Sequence, residues 1–170
     1  WLHVVNLDGA FGEGDHANRT ALESILKLGA RVQFGGGVRS LDAIDAALSL
    51  GVSRVVLGTI AVEQSDVVAS ALKQFGAERI AVGIDARDGV VRVHGWKDDS
   101  RVSATDLALQ MQTLGLGTVI FTDIRRDGLG GGLNIPATKE LADISGLDVI
   151  ASGGVHTIED VTAARNAKLS

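Results

Sequence analysis

Residues 32–47 read VQFGGGVRSLDAIDAA, and residues 149–164 read VIASGGVHTIEDVTAA. A shift of 117 positions lays Gly36-Gly37-Val38 on Gly153-Gly154-Val155 and Leu41 on Ile158. It also lays Asp42 on Glu159, Ile44 on Val161 and Ala46-Ala47 on Ala163-Ala164. Far upstream, the same shift sets Asn6-Leu7 on Asp123-Ile124, each pair directly after an apolar run. One constant offset across two separate motifs marks an internal duplication.

Around these motifs the chain alternates between two patterns. Short Val/Ile/Leu runs at 2–7, 31–35, 54–58, 79–85, 118–122 and 148–152 lack strict polar alternation. Strands buried on both faces of a parallel sheet read this way. Helical periods fill 18–28, 41–50, 65–75, 103–114, 135–144 and 158–167. Ser40, Ser65 and Thr157 read as N-caps, and Gly29, Gly51, Gly76 and Gly115 as helix stops. Repeated strand–helix alternation predicts an α/β fold with a parallel sheet. An open doubly wound sheet and a (β/α)8 TIM barrel both satisfy it, and the duplication decides for the barrel, with units one to four matching units five to eight. The strand at 54–58 has its partner just past residue 170, and the strand ending at Asp85 has its partner ahead of Trp1. The expectation is therefore an incomplete barrel holding strands two to seven, one domain over 1–170 truncated at both ends. A full barrel runs to ~250 residues.

Composition narrows the function. With 45% hydrophobic and 22% charged residues the chain carries a real core and is not intrinsically disordered. Sixteen Lys and Arg against 21 Asp and Glu give a formal charge of −5, which argues against a nucleic-acid partner. The absence of cysteine removes disulfides, thiolate nucleophiles and cysteine metal sites. No apolar run approaches the ~20 residues that span a bilayer, and no charged-then-apolar leader is expected ahead of Trp1. A soluble cytoplasmic protein with no membrane partner is expected.

In parallel barrels the chemistry sits at the C-terminal ends of strands. Gly36-Gly37 and Gly153-Gly154 each open a helix, where glycine admits a close ligand and unpaired N–H groups offer positive charge. That combination binds phosphate. Tight βα turns are the plainer reading, and recurrence of the pair in both halves favours phosphate. A substrate with a phosphate at each end would suit two such sites. Gly58-Thr59 ends a further strand. No Walker-type GxxxxGK loop or GxGxxG follows any strand, so neither ATP nor NAD is expected and no cofactor is assigned. Asp85 follows an apolar strand, where partial burial raises a carboxyl pKa and suits general acid/base work. A salt bridge to Arg87 is the structural alternative. Asp127 stands in an Arg-Arg-Asp-Gly turn, structural on its own. Thr122 could orient a substrate hydroxyl, and Asp123 could cap or pair with Arg125. His3, His16, His94 and His156 show no metal-binding spacing, so no metal is expected. Trp96 reads as a loop residue that covers a planar ligand or packs on the surface.

The runs LHVVNLDGAF, QFGGGVRS, VVLGT, VGIDARDG with HGW, FTDIRRDG with GGLN, and IASGGV occur in this order. Together they resemble the phosphoribosylformimino-5-aminoimidazole carboxamide ribotide isomerase family of histidine biosynthesis. The resemblance implies a (β/α)8 barrel that performs an Amadori rearrangement, turning an N-linked aminoaldose into an aminoketose without metal or redox cofactor. It implies a substrate with two phosphates, with Gly36, Gly37, Gly58, Thr59, Gly153 and Gly154 as its phosphate contacts. Asp85 matches the proton donor, Asp127 is a rival for that role, and Thr122 is its neighbour. His3 and Trp96 stand as substrate contacts. The base matches an aspartate on a first strand, opposite Asp85 in the duplication. Two departures stand out. Asn6 replaces a usual aspartate, and GLGGGLN replaces a more usual GTLxGPN. The chain alone is expected to turn over substrate poorly or not at all, and its strand edges to invite self-association. Three rival readings remain. The cyclase subunit of imidazole glycerol phosphate synthase tends to carry Thr-Ser in place of Thr122-Asp123 and lacks Gly95-Trp96. A dual-substrate relative usually has arginine in place of His94. A non-catalytic barrel fragment is the third.

Overall fold

The computed structural model describes residues 1–11 and 16–170. They form two compact units, Trp1–Ala81 and Val82–Ser170. The first unit runs β1 (Leu2–Val5), α1 (Leu7–Phe11), α2 (His16–Leu26), β2 (Val32–Gly35), α3 (Leu41–Leu50), β3 (Arg54–Leu57), α4 (Thr59–Glu63) and α5 (Ser65–Phe75). β1 pairs parallel with β2, and β2 parallel with β3, so that His3, Gln33 and Arg54 stand in line across the three strands. Val32, Ile44, Val55, Leu57 and Val68 are fully buried, each such side chain contributing about 1.5–3 kcal/mol.

The second unit takes up β4 (Ile80–Arg87) from Val82 onward, then β5 (Val90–Val93), β6 (Asp98–Ser103), α6 (Ala104–Thr113), β7 (Thr118–Asp123), α7 (Ile135–Ser145), β8 (Asp148–Ser152) and α8 (Ile158–Asn166). β7 pairs with β4 and lies parallel to β8. Every residue of β7 from Thr118 to Thr122 is buried, which explains its unbroken apolar run. β4, β5 and β6 form an antiparallel excursion.

The duplication is present in the backbone itself. Leu2 faces Val32 and Val5 faces Gly35 in the first unit, while Val119 faces Val149 and Thr122 faces Ser152 in the second. The same offset carries each pair onto the other. Past the strands, Ser53 N donates to Val32 O at 2.8 Å and Ser170 N to Val149 O at 3.1 Å. Parallel strand–helix alternation makes the fold class α/β, that of an incomplete (β/α)8 barrel.

Local signals acted as their chemistry requires, with a few differences. Ser40 Oγ accepts from Ala43 N, and Thr157 with Asp160 forms a full capping box on α8. Gly51 closes α3 in the left-handed region at φ 115°. Ser65, expected as a cap, lies inside α5, and Gln64 holds the cap position without a side-chain bond. Leu7, expected to end a strand, starts α1. The β5–β6 hairpin was not expected from the sequence, and Trp96 stands in its turn. Among the described residues no helix is long and apolar enough to cross a membrane.

Candidate active site

Loop 124–133 of the second unit connects β7 to α7 and folds over the end of β8. Gly153 and Gly154 follow β8 at φ +87° and +94°, conformations that favour glycine. A Cβ on Gly153 would lie 2.6 Å from Asp123 O, and one on Gly154 2.5 Å from Gly132 O. Gly132 N also donates to Gly154 O at 2.9 Å. Arg126 clasps the loop from within, its Nη1 donating to Gly132 O and Leu133 O at 3.2 Å each. Between loop and strand end opens a cleft of about 400 Å³ lined by Asp127, Ser152, Gly153, Gly154 and His156, with glycines 128 and 130 on its wall.

Asp123 anchors this loop. Its Oδ1 accepts from Arg125 N at 3.0 Å, and its Oδ2 accepts from Asn134 Nδ2 at 2.6 Å. The Arg126 Nε stands 3.7 Å from the same Oδ2. The pairing expected with Arg125 is thus made by that residue's backbone, and the charge partner is Arg126. The Arg125 guanidinium instead meets Asp88 at 2.5 Å.

Asp85 projects from β4, half-buried, and its Oδ2 accepts from Trp96 Nε1 at 2.7 Å. No ion pair joins it to Arg87 among the described residues. The hairpin turn that presents Trp96 is unusual, since His94, Gly95 and Trp96 all have positive φ (55°, 65° and 70°). His94 Nδ1 lies 2.8 Å from the Asp98 carboxylate across it. Ile124 N donates to Ala86 O at 3.0 Å, which sets the strand ends bearing Asp85 and Thr122 side by side. Thr122 itself is buried, opposite Ser152.

The first unit repeats the glycine arrangement. Gly36 and Gly37 have φ +94° and +77°. A Cβ on Gly36 would fall on Asn6 O, and one on Gly37 would lie 2.7 Å from Gly9 O. Gly153 meets Asp123 O in the corresponding way, and Gly154 meets Arg126, the counterpart of Gly9. Asn6 is 6% exposed and its Oδ1 accepts from Gly9 N at 3.0 Å and Asn18 Nδ2 at 2.7 Å. Arg39 Nη2 holds α1 through Ala10 O at 3.0 Å, while His156 occupies its duplicated position. Gly58 precedes the short α4 with Thr59 as its first residue, and a Cβ there would meet nothing within 4 Å. His3 stands lower on its strand, roughly 10 Å before Asn6 at ~3.3 Å per residue, with Nδ1 3.0 Å from Gln33 Nε2.

Within the second unit the structure thus brings Asp127, Gly153 and Gly154 into one cleft, and Asp85 against Trp96. His3 is held below the glycine loop of its own unit. The sequence reading placed Ser152 at a strand end beside the glycines, and it missed His156, Asn18 and Asn134 as parts of the site. A signal for the asparagines existed: Asn18 lies 12 residues after Asn6 and Asn134 lies 11 after Asp123. Among the described residues no group of three or more His, Cys, Asp or Glu is gathered to hold a metal ion, and the side chain of His16 lies outside them. Asp160, at the surface, is held below the ordinary carboxylate range by the backbone N–H of Thr157 and then that of His156.

Carboxylates at strand ends beside duplicated glycine turns belong to an α/β fold of the barrel class, in which chemistry sits at the C-terminal ends of strands. The family of histidine biosynthesis proteins matches the chain over residues 1–170, and the chain belongs to that family. It is 48% identical over 166 residues to the 1-(5-phosphoribosyl)-5-((5-phosphoribosylamino)methylideneamino)imidazole-4-carboxamide isomerase of Syntrophomonas wolfei, covering 97% of this chain and 68% of the relative. Isomerases of the same name from Desulfitobacterium hafniense and Heliobacterium modesticaldum are each 49% identical, over 94% and 96% of this chain. The chain spans about two thirds of the length of these curated relatives, from 64% to 68%.

Proposed function

We propose that this chain carries the isomerase chemistry of histidine biosynthesis, the rearrangement of the aminoaldose ProFAR to the aminoketose PRFAR. The observation that carries the reading is the cleft of about 400 Å³ into which Asp127 and the Gly153–Gly154 turn both open. The Gly153–Gly154 turn stands ahead of α8, which starts at Ile158, so the N–H groups expected from a helix start are not those of the glycines. A carboxyl group beside a glycine turn that lets a ligand approach the backbone closely still suits a phosphorylated sugar that must gain and lose protons. Names of relatives at 48–49% identity support the same activity.

In this reading Asp85 protonates the ring oxygen of the aminoribose. The C1–O bond breaks, and the nitrogen lone pair forms a C1=N bond. A base, by the resemblance a first-strand aspartate, then takes the C2 proton, and the C–H bonding electrons enter C1=N. The resulting enolamine becomes the C2 ketone as C1 takes a proton and the C2 hydroxyl releases one. No atom is gained or lost. Asp127 is the rival proton donor, and Thr122 orients a hydroxyl. Trp96 covers the heterocycle when its indole leaves Asp85, and His3 is a further substrate contact. Each unit carries one duplicated glycine turn, Gly36–Gly37 (with Gly58–Thr59) and Gly153–Gly154, and the proposed substrate carries two phosphates.

The test combines binding with turnover. In a ³¹P NMR titration of the aminoaldose with the chain, both phosphate signals shift, and proton NMR records slow loss of the C1 proton environment of the aldose. Asp85→Asn retains the phosphorus shifts and lowers turnover by about 10²–10⁴. Phosphate signals that stay in place, or an Asp85→Asn variant as fast as the parent, would refute the reading.

A further inference from the structure

We infer that Asn134 is a positioning residue, acting through Asp123 to hold the loop that presents Asp127. The inference rests on the reading of Asp127 as part of the reactive site.

Asn134 uses both ends of its amide. Its Nδ2 donates to Asp123 Oδ2 at 2.6 Å, while its Oδ1 accepts from Ala137 N at 3.3 Å and so caps α7. One short side chain therefore bolts the end of β7 to the start of α7. The ten residues between hang from that closure. Arg126 N and Asp127 N both return to Asp123 O, at 3.0 and 3.1 Å. Leu129 N returns to Arg126 O at 3.1 Å. A donor on a carboxylate is roughly twice as strong as a neutral one, so the Asn134–Asp123 bond is the firmest link in this set. Capping alone does not explain it, because a cap needs only the oxygen.

The first unit supplies an independent instance. Asn18 Nδ2 reaches Asn6 Oδ1 at 2.7 Å, and Asn6 is the duplicated counterpart of Asp123. Asn18 caps nothing there, since it lies inside α2. The amide reaching back to the strand end recurs without the cap, so the reach is the shared feature. The same comparison shows that an amide at the strand end is compatible with this turn.

That equivalence defines the experiment. Asn134→Asp keeps a good cap but sets two carboxylates face to face. Asn134→Ser keeps the cap and is too short to reach Asp123. The double change D123N/N134D reverses the hydrogen bond, with the amide now on the strand as at Asn6. Each is made in the 170-residue chain. Hydrogen exchange of the Arg126, Asp127 and Leu129 amides, thermal melting, and kcat with KM are then compared. In the two single variants, exchange at these amides rises about tenfold or more. Turnover falls by a similar factor, because small displacements of a reacting group carry large rate effects, while KM and melting stay near the parent's. The double change restores exchange and kcat. Single variants with parental exchange and kcat would overturn the inference, as would a double change that restores neither. Should the parent chain show no turnover, the isomerase reading is decided by the ³¹P titration, and the exchange result alone decides for or against Asn134.

Discussion

Replacing Gly153 with alanine tests the duplicated turn most directly. The residue sits at φ +87°, and its new methyl would lie 2.6 Å from Asp123 O, closer than real Cβ atoms come to backbone. Backbone strain of a non-glycine residue in such a region costs about 1–3 kcal/mol. Forcing the strand end and turn apart adds about 1–3 kcal/mol, as for other overpacked sites. The sum, about 2–6 kcal/mol, is a large share of the ~5–15 kcal/mol that holds a domain together. At about 2–4 °C per kcal/mol for a chain of this size, melting falls by about 5–20 °C. Far-UV circular dichroism melts of the variant and parent measure it, with urea titrations as a check. Gly36→Ala, whose methyl would fall on Asn6 O at φ +94°, is expected to lose at least as much. Gly117→Ala, with nothing within 4 Å of its methyl, serves as the control and moves stability by no more than about 0.5 kcal/mol. A Gly153→Ala variant that melts with the control would refute the reasoning.

Two further outcomes are expected. Asp160 accepts from the N–H groups of His156 and Thr157, so its carboxyl titrates below the ordinary value near ~3.9. A lowered folded-state value means that its contribution is complete above the unfolded-state pKa and is lost as pH falls through the folded-state one. The first turn of α8 therefore loosens below about pH 4, read as accelerated exchange of those two amides, and Asp160→Asn abolishes that pH step; an unchanged step in the variant would rule out Asp160 as its source. Arg125→Gln removes the 2.5 Å contact with Asp88, yet both side chains are more than half exposed. Melting should move by less than the equivalent of about 1 kcal/mol, and a larger loss would mean the pair is shielded from solvent in a way its exposure denies.

The repeat offset was the most informative feature of the sequence, because strand register in a parallel pair follows from which apolar run meets which. The offset that joins Gly36 to Gly153 also joins the pairing of Val5 with Gly35 to that of Thr122 with Ser152. Caps at Ser40 and Thr157 were legible since their chemistry is local. The elements that escaped are short or depend on distant partners. α1 and α4 have five residues each, too few for a helical period to show. The β5–β6 hairpin turns through His94, Gly95 and Trp96 at positive φ, and only one of the three is a residue that advertises it. Asp85 was visible as a strand-end carboxylate, but its bond to Trp96 spans 11 residues through that unforeseen turn. Asn18 and Asn134 carry no periodic signal at all. Their importance lies in a single atom reaching back to a strand end.

The crowding around Gly36 and Gly153 bears on how descendants of this duplication should be judged. Each glycine touches the main chain of the neighbouring strand end, so folding alone disfavours any other amino acid there. A relative stripped of all activity would still gain stability by retaining both. Their survival records architecture, whereas Asp127, whose side chain has no bonding partner among the described residues and opens into the cleft, is under no such obligation to the fold. On the proposed reading of Asp127, loss at that position with the glycines intact would be the signature of a barrel that has outlived its chemistry.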